Sequence, residues 1–142
     1  MKNLANLVVC SIMLVLSGAA YAESQVNVLL QEWRLVTDVS TVKAGPVTLS
    51  IQNRGREPHE FVLMRTDQPY NRLPLKSAGG IDEDKAGSVI SEVEDIGPKD
   101  KRIMKVNLAP GTYALICNMV EMEEGQLEQH YSMGMHASLV VK

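Results

Sequence analysis

Tryptophan and phenylalanine occur once each in this 142-residue chain, cysteine twice and histidine three times. With so few aromatics, and its basic residues scattered, the chain lacks the stacking surfaces and cationic stripe of a nucleic-acid binder. Long apolar runs are also missing. The run from Leu7 to Leu16 is well short of the roughly 20 residues that a membrane-spanning helix needs. No internal repeat and no low-complexity linker divides the chain, so its length fits one domain with a leader.

The short apolar run has a different use. Residues 1–22, MKNLANLVVCSIMLVLSGAAYA, read as a cleaved signal peptide, with Lys2 as the positive start and Ala20-Tyr21-Ala22 as the small-x-small cleavage site. A lipoprotein signal does not fit, because Val9 precedes Cys10 where such signals want a small residue. The expected mature domain is 23–142, exported to the periplasm. Cleavage leaves 13 basic against 17 acidic residues, a net charge of −4. It also removes Cys10, so Cys117 becomes the single thiol in an oxidising compartment. An unpaired cysteine there is buried and inert, intermolecular, or occupied by a metal.

The mature part reads as all-β. VTLSIQN (47–53) alternates Val47, Leu49 and Ile51 against Thr48, Ser50 and Gln52. HEFVLMR (59–65), SVISEVED (88–95), KRIMKVNL (101–108), TYALIC (112–117) and ASLVV (137–141) complete a set of short strands. Gly45-Pro46, Gly97-Pro98 and Pro110-Gly111 punctuate them. The stretch SQVNVLLQEWRLVTDVSTV adds two more strands around a non-strand centre, with Trp33 in the core or partly covered at a sheet face. Short strands at this spacing favour a two-sheet sandwich. Residues 66–87 break the pattern with Pro69, Pro74 and three glycines, and a loop of this length is unusual unless it is functional or partly helical.

The chemistry is concentrated near the end of the chain. CNMVEMEEGQLEQHYSMGMH (117–136) holds the remaining thiol, two of the three histidines and four methionines. Each candidate has a plain alternative. His59, stiffened by Pro58 before it, suits a surface imidazole at a strand start. Cys117 shares a strand face with Tyr113 and Leu115 and suits a small buried hydrophobe. Met135 suits core filler. Taken together, His59, Cys117, His130 and Met135 supply the two imidazoles, thiolate and weak thioether of a His2Cys trigonal copper site with an axial Met. One ligand comes from an early strand and three from the loop between the last two strands, which places the site at one pole of a sandwich.

At this point the sequence resembles the cupredoxins, the type 1 copper proteins such as plastocyanin and azurin. The resemblance rests on NRGREPHEFVL, LAPGTYALIC and HYSMGMHASLVV, with the H-x4-M spacing of His130 and Met135 its most specific part. It implies a Greek-key β-sandwich, one copper ion cycling between Cu(I) and Cu(II), and metal ligands His59, Cys117, His130 and Met135. Two departures stand out. Twelve residues, Asn118 to Gln129, separate Cys117 from His130 where the family commonly has a few. Lengthening such a loop from about 2 to 12 residues costs roughly 1.5 kcal/mol of closure entropy, and the insertion must fold back as a compact flap. Glu60 also stands where the family often has an Asn that braces the ligand loop.

The expected function is one-electron transfer between redox partners, such as a cytochrome, without enzymatic activity. The alternative is copper sequestration or delivery, with a copper donor or acceptor as partner, toward which Met119, Met122, Met133 and His136 lean as a second Cu(I) site. The plainer expectation is that the surplus methionines pack the flap onto the sandwich and that Glu121, Glu123, Glu124 and Glu128 form a solvated face. A cysteine nucleophile lacks any hydrolase signature around Cys117. Three histidines cannot furnish a multicopper oxidase, a binuclear centre lacks its second Cys, and structural zinc would not ask for Met.

Overall fold

A computed structural model describes residues 22–142, so the segment read as a signal peptide lies, but for Ala22, outside the described residues. Two sheets face each other. The first contains β1 (Ser24–Gln31), β2 (Arg34–Thr37), β4 (Gly45–Asn53) and β7 (Lys101–Leu108), in the order β2-β1-β4-β7. The second contains β3 (Thr41–Val42), β5 (His59–Arg65), β6 (Ser88–Ile96), β8 (Gly111–Ile116) and β11 (His136–Val141), in the order β3-β11-β8-β5-β6. β1 runs parallel to β4 and β3 parallel to β11; every other pair is antiparallel. The strands from β4 onward in the sandwich sit where the alternation places them, the opening stretch gives three strands rather than the expected two, and the two-sheet β-sandwich is the expected one.

Alternation fills the space between the sheets. Val26, Val28 and Leu30 from β1 and Val47, Leu49 and Ile51 from β4 meet Phe61, Leu63, Tyr113, Leu115 and Leu139 from the opposite sheet. Cys117 and Met135 belong to this same core. β5 and β8 are also buried on their outer face, which period-2 geometry turns the other way. There Val62, Met64, Ala114 and Ile116 pack with Leu73, Ile81, Ala86 and Tyr131 in a second apolar cluster.

The 66–87 segment supplies much of that cover. It contains one helical turn, α1 (Glu83–Ala86), and a bridge between Leu75 and Ile81. Tyr131 pins it: its hydroxyl accepts from the Leu73 N–H at 2.9 Å and donates to the Tyr70 carbonyl at 2.9 Å. Thr66 Oγ1 donates to the Ala86 carbonyl at 2.6 Å and closes the base of the excursion. A long loop therefore stays ordered because it roofs apolar strand residues and finds partners for its own backbone.

The Tyr131 hydroxyl yields a direct test. Tyr131→Phe leaves the buried Leu73 N–H without its partner, an expected loss of about 1–3 kcal/mol. A lower urea midpoint with an unchanged slope reports it; an unchanged midpoint contradicts the pinning role.

Candidate metal centre

β5 begins and β8 ends at the same pole, because they run antiparallel with Val62 opposite Ile116. His59 opens β5 and Cys117 follows β8, both turned to the core face. After Cys117 the chain makes a hairpin, β9 (Val120–Glu123) and β10 (Gln126–Gln129), and then the single turn α2 (His130–Met133) that presents His130. The Cys117 N–H donates to the Met135 carbonyl at 3.1 Å, and the Met135 N–H donates to the His130 carbonyl at 3.0 Å. Backbone hydrogen bonds thus tie three of the expected ligand positions together.

Side chains of three of them converge. His59 Nδ1 lies 3.2 Å from His130 Nδ1, and Cys117 Sγ lies 3.4 Å from His130 Nδ1. All three donor atoms fall within 4.8 Å of one another, and all three residues are fully buried. Metal–N and metal–S bonds of about 2.0–2.3 Å require ligand separations of this order. Met135 is fully buried in the same core cluster as Cys117. The donor set is soft at sulfur and intermediate at nitrogen, and it suits copper better than calcium or magnesium, which take oxygen ligands.

Burial disfavours the charged forms of Cys117 and His59. Burial pushes the Cys117 thiol up to about 12, with no cation beside it to offset the effect. Burial, followed by the neighbouring His130, holds His59 below the usual imidazole range. A thiol so hard to ionise is a poor nucleophile at neutral pH, which argues against cysteine catalysis.

Each imidazole meets a carboxylate on its far side. His59 Nε2 sits 3.3 Å from Glu32 Oε1, and His130 Nε2 sits 3.1 Å from Glu121 Oε1. Burial alone would raise the Glu32 carboxyl, but the Glu57 and Arg56 N–H groups it accepts from outweigh burial and hold it lowered. For His130 the hydrogen bond to Glu121 fixes which ring nitrogen faces the centre. Trp33, in the two-residue turn between β1 and β2, packs edge-on against His130 with ring centroids 4.8 Å apart.

Glu60 performs the bracing that its departure from Asn put in question. Its N–H points to Cys117 Sγ at 3.3 Å, and its carboxylate accepts the Asn118 N–H at 2.7 Å. The Asn118 side chain then reaches Ile81 and Glu83 in the 66–87 excursion, with Nδ2 2.9 Å from Glu83 Oε1.

The flap is compact, as expected, but faces the opposite way. Glu124 and Gly125 turn the hairpin with φ of 48° and 81°, the positive pair of a tight two-residue turn. Glu121 and Glu128 are cross-strand partners, and their carboxylates lie with that of Glu57 and a ring nitrogen of His130 within 4.8 Å. Glu123 and Glu124 are exposed as expected, but Glu121 and Glu128 are half-buried and lie toward His130. The other face carries Met122 opposite Leu127, and these are 66% and 48% exposed. Of the surplus methionines, Met119 packs on the core, whereas Met122 and Met133 are exposed. His136 lies beside Tyr70 and Tyr131, at ring centroid distances of 5.5 and 5.2 Å. Among the described residues it joins none of the clusters able to hold a metal.

This architecture is that of a known family. A model of the cupredoxin-like domain matches residues 4–127, and the chain belongs to that family. Its structure is similar to reduced auracyanin from Roseiflexus castenholzii, with 21% identity, a TM-score of 0.56, and 84% of this chain and 97% of that one covered. It is also similar to auracyanin A, a "blue" copper protein from Chloroflexus aurantiacus, at 19% identity and a TM-score of 0.54 over 85% of this chain and all of that one. Rusticyanin from Thiobacillus ferrooxidans aligns at 16% identity and a TM-score of 0.59, over 84% of this chain and 77% of that one. Identities this low speak to the fold alone. No curated protein matches the chain.

The Cys117 shift gives a pH prediction for the metal-free protein. Its thiol ionises near 9 when unfolded but stays protonated up to about 12 when folded. Between those values the folded state binds the extra proton, so stability falls as pH rises, by up to about 1.4 kcal/mol per unit. Urea unfolding from pH 8 to 10.5 should show this loss, and Cys117→Ala should remove it. An equal alkaline loss in the variant contradicts the burial of the thiol.

Proposed function

We propose that this is an exported, periplasmic, mononuclear type 1 copper protein that carries single electrons between redox partners. His59, Cys117 and His130 are its equatorial ligands, and Met135 is the axial one. The observation that carries this reading is the convergence of two imidazole Nδ1 atoms and a thiol in one closed, buried position. Bound there, copper supplies a one-electron couple between Cu(I) and Cu(II).

The chain does the rest. Cys117 gives up its proton on metal binding, which makes copper uptake pH-dependent. Glu121 holds His130 by a hydrogen bond to Nε2 and Glu32 lies 3.3 Å from His59 Nε2, so each ring meets a carboxylate on the edge away from Nδ1. The Glu60 N–H directed at Sγ stabilises a thiolate without competing for the metal. Full burial of the three donors excludes water and leaves no open position for a substrate, which suits a carrier better than an enzyme. A partner with a basic surface, such as a cytochrome, fits the net negative charge.

Export rests on the leader motif in residues 1–22. Among the described residues no helix is long and apolar enough to cross a membrane.

Copper sequestration or delivery is the second reading, favoured by the exposed thioethers of Met122 and Met133. A stably held copper with a fast reversible couple speaks for electron transfer; ready release to a methionine-rich acceptor speaks for delivery.

Addition of Cu(II) to the protein should produce an intense visible band with the matching electron paramagnetic resonance signal. Cys117→Ser should abolish the band, since the absorption needs a thiolate. Met135→Gln should keep the copper and shift its potential, because the axial ligand tunes the centre. A band that survives in Cys117→Ser refutes the ligand assignment.

A further inference from the structure

An electron carrier needs a short, continuous route from its metal to the surface, since tunnelling weakens steeply across gaps. Neither imidazole of the proposed site reaches solvent: His59 and His130 are both fully buried. Glu32, on the far side of His59, is 23% exposed, but its carboxylate is taken up by the Arg56 and Glu57 N–H groups. His130 has two neighbours that extend outward. One is the Glu121 carboxylate, 3.1 Å from Nε2 and 37% exposed. The other is the partly exposed indole of Trp33, 4.8 Å away between ring centroids at an interplanar angle of 72°.

We propose that Trp33 is the conduit through which electrons enter and leave the site, by way of His130. This rests on the one-electron copper reading above. The indole presents an extended, polarisable π system to the imidazole, whereas Glu121 offers a single polar contact.

Its backbone is also the better anchored. The neighbouring Glu32 carboxylate accepts from Arg56 and Glu57 at 2.8 and 3.0 Å and touches His59. On the other side the Trp33 carbonyl lies so close to Gly134 that a Cβ there would come within 2.9 Å of it. Gly134, at φ 125°, thus allows the Trp33 turn to press against the loop that carries His130 and Met135. The Trp33 turn is thus held between both ligand-bearing segments, with the indole against His130, as a fixed coupling geometry requires. Glu121 instead rides on a hairpin whose strands pair only with each other.

The step is the passage of one electron from a reduced copy to an oxidised one. The donor copy is oxidised and the acceptor copy reduced. No bond forms or breaks, no proton moves, and the indole itself is neither oxidised nor reduced. It serves as a bridge.

The test uses electron self-exchange between Cu(I) and Cu(II) forms of the copper-loaded protein, measured by nuclear magnetic resonance line broadening. Visible and paramagnetic resonance spectra and the potential are recorded alongside. Trp33→Leu should leave the spectra and potential in place and slow self-exchange by about tenfold, equivalent to about 1.4 kcal/mol of barrier. Trp33→Phe, which keeps a ring against His130, should fall between and carries the comparison if the Leu variant does not fold. Trp33 is the only tryptophan in the chain. Its fluorescence should therefore be strongly quenched by Cu(II) and partly restored on reduction. Unchanged or faster exchange with normal spectra in both variants makes Trp33 a cover over His130 and overturns the conduit alone. A native protein without a type 1 spectrum overturns the copper reading and the conduit with it.

Discussion

Two imidazoles and a thiol pressed together in a dry pocket form the constraint on which the rest of the structure turns. With Nδ1 atoms 3.2 Å apart and Sγ at 3.4 Å, the three donors face one another. None has bulk water as an alternative partner. Burial of polar groups in this way costs free energy unless something satisfies them, and a shared soft cation satisfies all three at once. The protein must also hold the arrangement while the site is empty. That demand accounts for the carboxylates behind each ring, the backbone bonds among Cys117, His130 and Met135, and the Glu60 N–H directed at sulfur.

The 66–87 excursion joins in this support. Asn118 follows Cys117 directly and bonds to Ile81 and Glu83, while Tyr131 follows His130 and bonds to Leu73 and Tyr70. Each of these two proposed ligands is thus adjacent in sequence to a side chain that grips the same loop. The loop in turn is held by the apolar outer face of β5 and β8. Ligand placement, loop order and the second apolar cluster are parts of one packing arrangement.

Much of this was legible in the amino-acid sequence, and the rest failed for identifiable reasons. β7 alternates cleanly because one face meets the core and the other solvent, and β4 keeps the same apolar period although Thr48 on its outer face is also buried, so their registers follow from composition. The three converging donors were legible because His and Cys are rare here and fall at strand ends. Glu32, Trp33 and Glu121 carried no comparable signal, since a carboxylate or indole that reaches a ligand from another element leaves no spacing pattern. The hairpin was concealed by its inversion: Glu121 and Glu128 turn inward while Met122 and Leu127 turn out, contrary to ordinary patterning. Its Glu-Gly turn is also a weaker signal than Asn-Gly or Asp-Gly. Glu60 was legible as a departure from Asn, but its ability to accept the Asn118 N–H depended on tertiary placement.

In the proposed centre His59, Cys117 and His130 bind one copper through two ring nitrogens and a thiolate. X-ray absorption at the copper edge, on protein loaded with one equivalent, reads those donors directly. Two nitrogen scatterers at about 2.0 Å and one sulfur at about 2.2–2.3 Å are expected, distances typical of such bonds. A first coordination sphere of nitrogen and oxygen alone, with no short sulfur, would contradict this centre.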